Sequence, residues 1–173
     1  MLFFNISYDS FQLCIEEENP LKQGIISLGE ALIDFIPTDV SNTTYYKSPG
    51  GAPANVAVGI AQLGGKSAFL GKVGDDVLGH FLKNTLQQYG VDTNQLLFTT
   101  EAKTGLTFVT NTADGEREFD FYIQPSADSL LEIEDINQAA FTTHSILHVG
   151  SISLISNPAR DATYHAVRLA KEK

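Results

Sequence analysis

From Gly24 onward the sequence alternates short apolar runs with segments of helical period, and glycines mark most of the joins. "GIISLGEALIDFI" opens on an isoleucine-rich run of the kind that forms a buried strand. "APANVAVGIAQLG" follows a Gly-Gly turn; Pro53 fits the first helical position, and Gly64 and Gly65 stop the helix. "KSAFLGKVG" reads as another strand. "DDVLGHFLKNTLQQYG" spaces Leu78, Phe81, Leu82, Leu86 and Tyr89 along a helix, with Asp75 as N-cap and Gly90 as terminator. Strand, helix, strand, helix is the order of a parallel α/β sheet covered on both faces.

The next stretch has a different texture. "TGLTFVTNTADGEREFDFYIQP" reads as a hairpin whose arms meet at Asp114-Gly115, the pair favoured in a two-residue type I′ turn. Its second arm places Arg117, Phe119, Phe121 and Ile123 on one face. "EIEDINQAAF" predicts a helix, "SILHVGSIS" a buried strand, and "NPARDATYHAVRLAKEK" a helix opened by Asn157 and Pro158. That gives about four core strands, where doubly wound sheets use about five or six. The last helix also runs uncapped to Lys173, so a truncated α/β fold is expected, with apolar surface exposed around Val167 and Leu169.

With 173 residues, 43% of them hydrophobic, the chain is long enough for one sizeable core. The net charge of -10 is spread along the chain, which argues against nucleic acid or an anionic membrane as partner. Cys14 is the single cysteine, so no disulfide framework or Cys-based metal site is expected, and a cytoplasmic protein fits best. No apolar run approaches the roughly 20 residues of a membrane span. The first residues lack the basic n-region of a signal peptide. His80, His144, His148 and His165 show no metal-ligand spacing with carboxylates.

"GGKS" looks like the end of an ATP-binding loop, but Ile60 stands where the first glycine of that loop should be. It also lies between a helix and the following strand, whereas a P-loop joins a strand to the helix it opens. "GGAPAN" likewise fails the dinucleotide fingerprint. Turn and cap duties account for Gly64, Gly65, Gly74 and Gly90. Gly50 and Gly51 differ, because they sit where an extended segment enters a helix whose first turn holds Asn55 among alanines. Small residues let a ligand approach backbone, and an amide both donates and accepts, as sugar hydroxyls require. On these residues alone, a polar-ligand site and plain packing remain equal alternatives.

"GEALIDFIPT", "GGAPANVA", "LGGKSAFLGKVGDD", "DGEREF", "PSADSLL" and "HVGSISLI" occur in this order. Together they resemble the ribokinase-like carbohydrate kinases, the phosphofructokinase B family, and its fructokinase branch in particular. The resemblance runs from about Ile25 to Lys173 and leaves residues 1–24 as an extension of unknown role. It implies a ribokinase-like parallel sheet covered by helices, with a small β-strand lid formed within residues 36–48 and 104–124. In that family the N-terminal half holds the sugar. By resemblance Asp34 accepts sugar hydroxyls, Gly50 and Gly51 form the backbone platform, and Asn55 supplies an amide. Phe121 would line the sugar pocket or pack on a partner lid, in a homodimer through lid strands. Ile123 departs from the arginine that related fructokinases tend to carry, which bears on which sugar is used.

The implied reaction is transfer of the terminal phosphoryl of ATP, with Mg2+, to a sugar hydroxyl, fructose giving fructose 6-phosphate. The family's catalytic aspartate, in a "GAGD"-type motif, has no counterpart here, so no catalytic, nucleotide-binding or metal residue is assigned to this chain. A catalytically inactive sugar-binding or dimerising fragment is the alternative reading. Another is a related kinase for ribose, a 2-keto-3-deoxy acid or a nucleoside. Loss of such a catalytic group and its oxyanion donors removes orders of magnitude in rate. The purified 173-residue chain, given fructose and MgATP in a coupled ADP-release assay, should therefore show background turnover only; sugar-dependent turnover would contradict the assignment.

Overall fold

The computed structural model describes residues 23–112, 114 and 116–172, so the expected extension lies outside the described residues up to residue 22. In chain order the elements are β1 (Ile25–Leu28), β2 (Leu32–Pro37), β3 (Tyr45–Gly50), α1 (Ala52–Gln62), β4 (Ser67–Gly74), α2 (Val77–Gln88), β5 (Asp92–Thr99), β6 (Leu106–Asn111), β7 (Arg117–Phe121), β8 (Ile146–Val149) and α3 (Ala159–Glu172). β5, β4, β1 and β8 lie side by side in that order, all parallel. β3, β2, β6 and β7 form a second sheet in which only β2 and β6 run parallel.

Side-chain alternation along the parallel strands divides the core between two faces. Ile26, Leu28, Ala68 and Leu70 point toward α3, where Ala159, Ala162, Ala166 and Leu169 form the matching stripe. Phe69, Val73 and Leu96 point the other way, onto Ala54 and Ala57 of α1 and Leu82 and Leu86 of α2. Small residues on α1 and α3 let both helices lie close to the sheet. Full burial of each Leu, Ile or Phe contributes roughly 1.5–3 kcal/mol, which makes these two faces the principal source of stability.

Several expectations are corrected. "GIISLGEALIDFI" holds two strands in two different sheets, and Asp34 lies on β2 of the second sheet. The second sheet therefore begins at Leu32. The hairpin forms, but its last ladder pair is Asn111 with Arg117, and the Thr112 N–H donates to the Glu116 carbonyl at 2.9 Å. Its connection is thus longer than a two-residue turn. The helix expected over "EIEDINQAAF" is two short 3-10 segments, Ile133–Asp135 and Gln138–Thr142. β8 is a sheet edge, not a buried strand, and Ile146 is 58% exposed. Leu169 is buried against the sheet rather than exposed, and Val167 is half-buried.

The α2 N-cap is Asp76, not Asp75. The Asp75 N–H still bonds the Thr99 carbonyl at 2.7 Å, so the chain leaves the sheet one residue later than the sequence indicates. Asp76 Oδ1 accepts from the Leu78 and Gly79 N–H groups and from the Thr104 hydroxyl, while Oδ2 accepts from the Thr104 N–H at 2.9 Å. One carboxylate thus ties the start of α2 to the segment that enters β6. Burial alone would raise its pKa, but these bonds outweigh it and hold the Asp76 carboxyl below its ordinary value. Its stabilisation is therefore present above the ordinary carboxylate range and is lost as pH falls through the lowered pKa. In urea unfolding at neutral pH, Asp76→Ala should cost about 1–2 kcal/mol, as loss of an N-cap does. Asp75→Ala, at an exposed position, should cost less than about 0.5 kcal/mol.

Candidate functional site at the lid root

Three residues separate β1 from β2, and Glu30 is the middle one. Its side chain turns back to the start of α1, where Gly51 is the N-cap residue and offers no side-chain oxygen of its own. Glu30 Oε1 supplies the missing acceptor, taking the Ala52 N–H at 3.1 Å. Gly51 is required here: its φ is 102°, and a Cβ would collide with the Glu30 carbonyl oxygen. On the far side, a Cβ on Gly150 would overlap Pro53 and lie 2.9 Å from Glu30 Oε2. The carboxylate is only 3% exposed, and Oε2 has no hydrogen-bond partner among the described residues. Burial raises the Glu30 pKa; hydrogen bonds from its own backbone and from Ala52 lower it in part, and the nearby Asp128 charge raises it further.

Glu30 lines a cavity of about 450 Å³ between the lid root and the end of the parallel sheet. Phe121 and Ile123, both singled out in the sequence, line it too, together with Leu106, Asp128 and Ile152. Burial likewise pushes the Asp128 carboxyl up. Gly50 and Asn55 instead border a smaller cavity of about 200 Å³, beside Thr85 and Tyr89. Asn55 is exposed, which leaves its amide available to a ligand.

Asp34 joins the two groups. It shares a strand face with Leu32, which lines the larger cavity, and its Oδ2 lies against Gly50, which lines the smaller; a Cβ on Gly50 would overlap that oxygen. Among the described residues no hydrogen bond offsets its partial burial, and the Asp34 pKa is raised by desolvation. Carboxylates left short of donors are suited to accept hydroxyl protons from a ligand. Glu30 and Asp128 were not singled out in the sequence. "GEAL" resembles an ordinary strand end, and the cap on Ala52 reaches across 22 residues; an N-terminal helix turn without a local cap residue was the available signal.

"GGKS" connects α1 to β4, the helix-to-strand order that rules out a P-loop. Among the described residues no three His, Cys, Asp or Glu side chains converge as a metal site.

Residues 22–173 match the pfkB family carbohydrate kinases. The chain belongs to that family. A fructokinase from Solanum tuberosum is 50% identical over 154 residues, covering 86% of this chain and 48% of its own length. A fructokinase from Xylella fastidiosa, solved with bound ATP, superimposes with a TM-score of 0.82 at 39% identity, covering 88% of this chain and 46% of that one. The Vibrio cholerae fructokinase solved with fructose, ADP and calcium gives a TM-score of 0.77 at 39% identity, over 89% of this chain and 48% of its own. The pfkB chain described here thus spans about half the length of the relatives it matches, and its fold is the ribokinase-like α/β sheet with a lid.

Because Glu30 is held above the ordinary carboxylate range, ionising it destabilises the fold. That penalty is absent below the unfolded pKa, grows as pH rises from the unfolded toward the folded pKa, and is complete above the folded pKa. Glu30→Gln keeps an oxygen for the Ala52 N–H and removes the charge. It should raise the melting temperature by about 2 °C or more at neutral pH, and the gain should vanish below about pH 4. Thermal melts across pH check this; equal melting temperatures at neutral pH would contradict it.

Proposed function

We propose that this chain is the sugar-binding half of a fructokinase-type kinase. The complete enzyme transfers the terminal phosphoryl of ATP to a sugar hydroxyl, converting fructose to fructose 6-phosphate. The observation that carries the proposal is the convergence of Asp34, Gly50 and Asn55 at the lid root. The chain is also 39% identical to a fructokinase solved with fructose and ADP. In this reading Asp34 accepts hydroxyl hydrogen bonds, Gly50 and Gly51 give the sugar a side-chain-free backbone surface, and Asn55 binds hydroxyls from the first turn of α1. Phe121 and Ile123 close the lid side of the larger cavity. ATP and Mg2+ act in the complete enzyme, and no residue of this chain is assigned to them. The proposal includes a homodimer through lid strands, since Phe119 and Phe121 of β7 are 58% and 46% exposed.

Charge-assisted hydrogen bonds contribute roughly 1.5–3 kcal/mol each and neutral ones about 1 kcal/mol. Asp34→Ala should therefore weaken fructose binding by about one to two orders of magnitude, and Asn55→Ala should act in the same direction but less. Isothermal titration of fructose into each folded variant checks this. Unchanged affinity in Asp34→Ala would remove Asp34 from the sugar site.

A further inference from the structure

Glu30 presents an unresolved electrostatic demand. Its Oε1 is occupied by the Ala52 N–H, whereas Oε2 is buried with no partner among the described residues. A buried oxygen without a donor is costly, and a ligand that supplies one recovers that cost on binding. The residue lines the larger cavity, where among the described residues the only charged lining side chains are Glu30 and Asp128, with no Lys, Arg or His facing it.

Three kinds of ligand could answer this demand, and the surroundings separate them. A cation would be attracted by two carboxylates, but it would approach the positive end of the α1 dipole, and among the described residues no third acidic, His or Cys side chain converges with them. An anion would be drawn to the same helix end, but Glu30 already occupies that place with its own negative charge, and Asp128 repels a second. A neutral ligand rich in hydroxyls meets neither obstacle. It donates to Oε2 and to Asp128 while its carbon skeleton packs on Leu32, Phe121 and Ile123. Ile123 reinforces this selection, because an arginine there would have supplied the cation that an anionic ligand needs.

We propose that Glu30, with Asp128, accepts hydroxyl hydrogen bonds from a neutral polyhydroxy ligand in the larger cavity and excludes acid sugars from it. The inference rests on the sugar-site reading above and adds its specificity-determining residue. Because Glu30 also caps α1, it links occupancy of this cavity to the helix turn that presents Asn55.

The test is saturation-transfer NMR on the 173-residue chain with fructose, mannitol, gluconate and calcium chloride as separate probes. Wild type should bind fructose and mannitol and reject gluconate. Glu30→Gln, which keeps the α1 cap, should weaken both neutral ligands by roughly tenfold and admit gluconate. Asp128→Asn should move both readouts the same way, and it serves as the second variant should Glu30→Gln fail to fold. If both variants bind fructose as wild type does while Asp34→Ala abolishes binding, the sugar site stands and this inference is overturned. If wild type binds neither polyol, both are overturned. Calcium displacing fructose from wild type would make the carboxylates a cation site and overturn this inference alone.

Discussion

The crossing from β1 to β2 confines Glu30 between three chain segments that must all end at one place. Its backbone carbonyl sets the limit on Gly51, its Oε1 receives the first N–H of α1, and its Oε2 lies beside Gly150, just past β8. A side chain on either glycine would push α1 or β8 away from the crossing. α1 packs on the parallel sheet through Ala54 and Ala57, so a displaced α1 would also lose its seat in the core. The lid sheet hangs from the same point, since β2 leaves directly from Glu30 and Ala31. The positions of both sheets thus depend on a short polar and glycine-rich junction more than on any single apolar contact.

The carboxylates of this region divide by how many donors surround them. Asp76 receives two N–H bonds from α2 and two bonds from Thr104, and its pKa falls despite partial burial. Glu30 receives one bond from a neighbouring segment, and among the described residues Asp34 receives none; both are raised. The well-solvated count belongs to a structural cap and the poor counts to residues on the two cavities. That contrast is what separates a carboxylate that holds the fold together from one that has bonding capacity left for something else.

Much of this was legible in the sequence because it is local. α1, with Pro53 at its start and Gly64 at its end, follows from residues within the segment, as do α2 and the strand at Ser67–Gly74. The hairpin arms were also readable from alternation, though the longer connection shows that Asp114-Gly115 alone does not fix turn length. What failed was set by distant partners. Asp75 and Asp76 are interchangeable on paper, and Thr99 and Thr104 decide between them. "EIEDINQAAF" has helical spacing, yet its apolar residues Ile136 and Phe141 are pulled into the α3-side core as separate anchors, and the backbone between them stays irregular. Asp34, Gly50, Gly51 and Asn55 were reached through family motifs, whereas Glu30 and Asp128 needed three dimensions, since Glu30 caps a helix that starts 22 residues on.

Glu30 also shows why stability and binding diverge at this junction. A glutamine would satisfy the Ala52 N–H and avoid burying a charge, so apart from the α1 dipole the fold gives little reason for the carboxylate. The retained charge has a use only if something supplies hydrogen-bond donors to Oε2. Hydroxyl donors favour the ionised form, so on the proposed reading a bound polyol draws the raised pKa back down, and the desolvation that destabilises the free chain becomes affinity in the bound one. Asp128 increases this effect, because its charge makes Glu30 harder to ionise until a neutral ligand bonds to both. A cation supplied by the protein, such as an arginine at position 123, would have relieved the same tension permanently and left less for the ligand to gain.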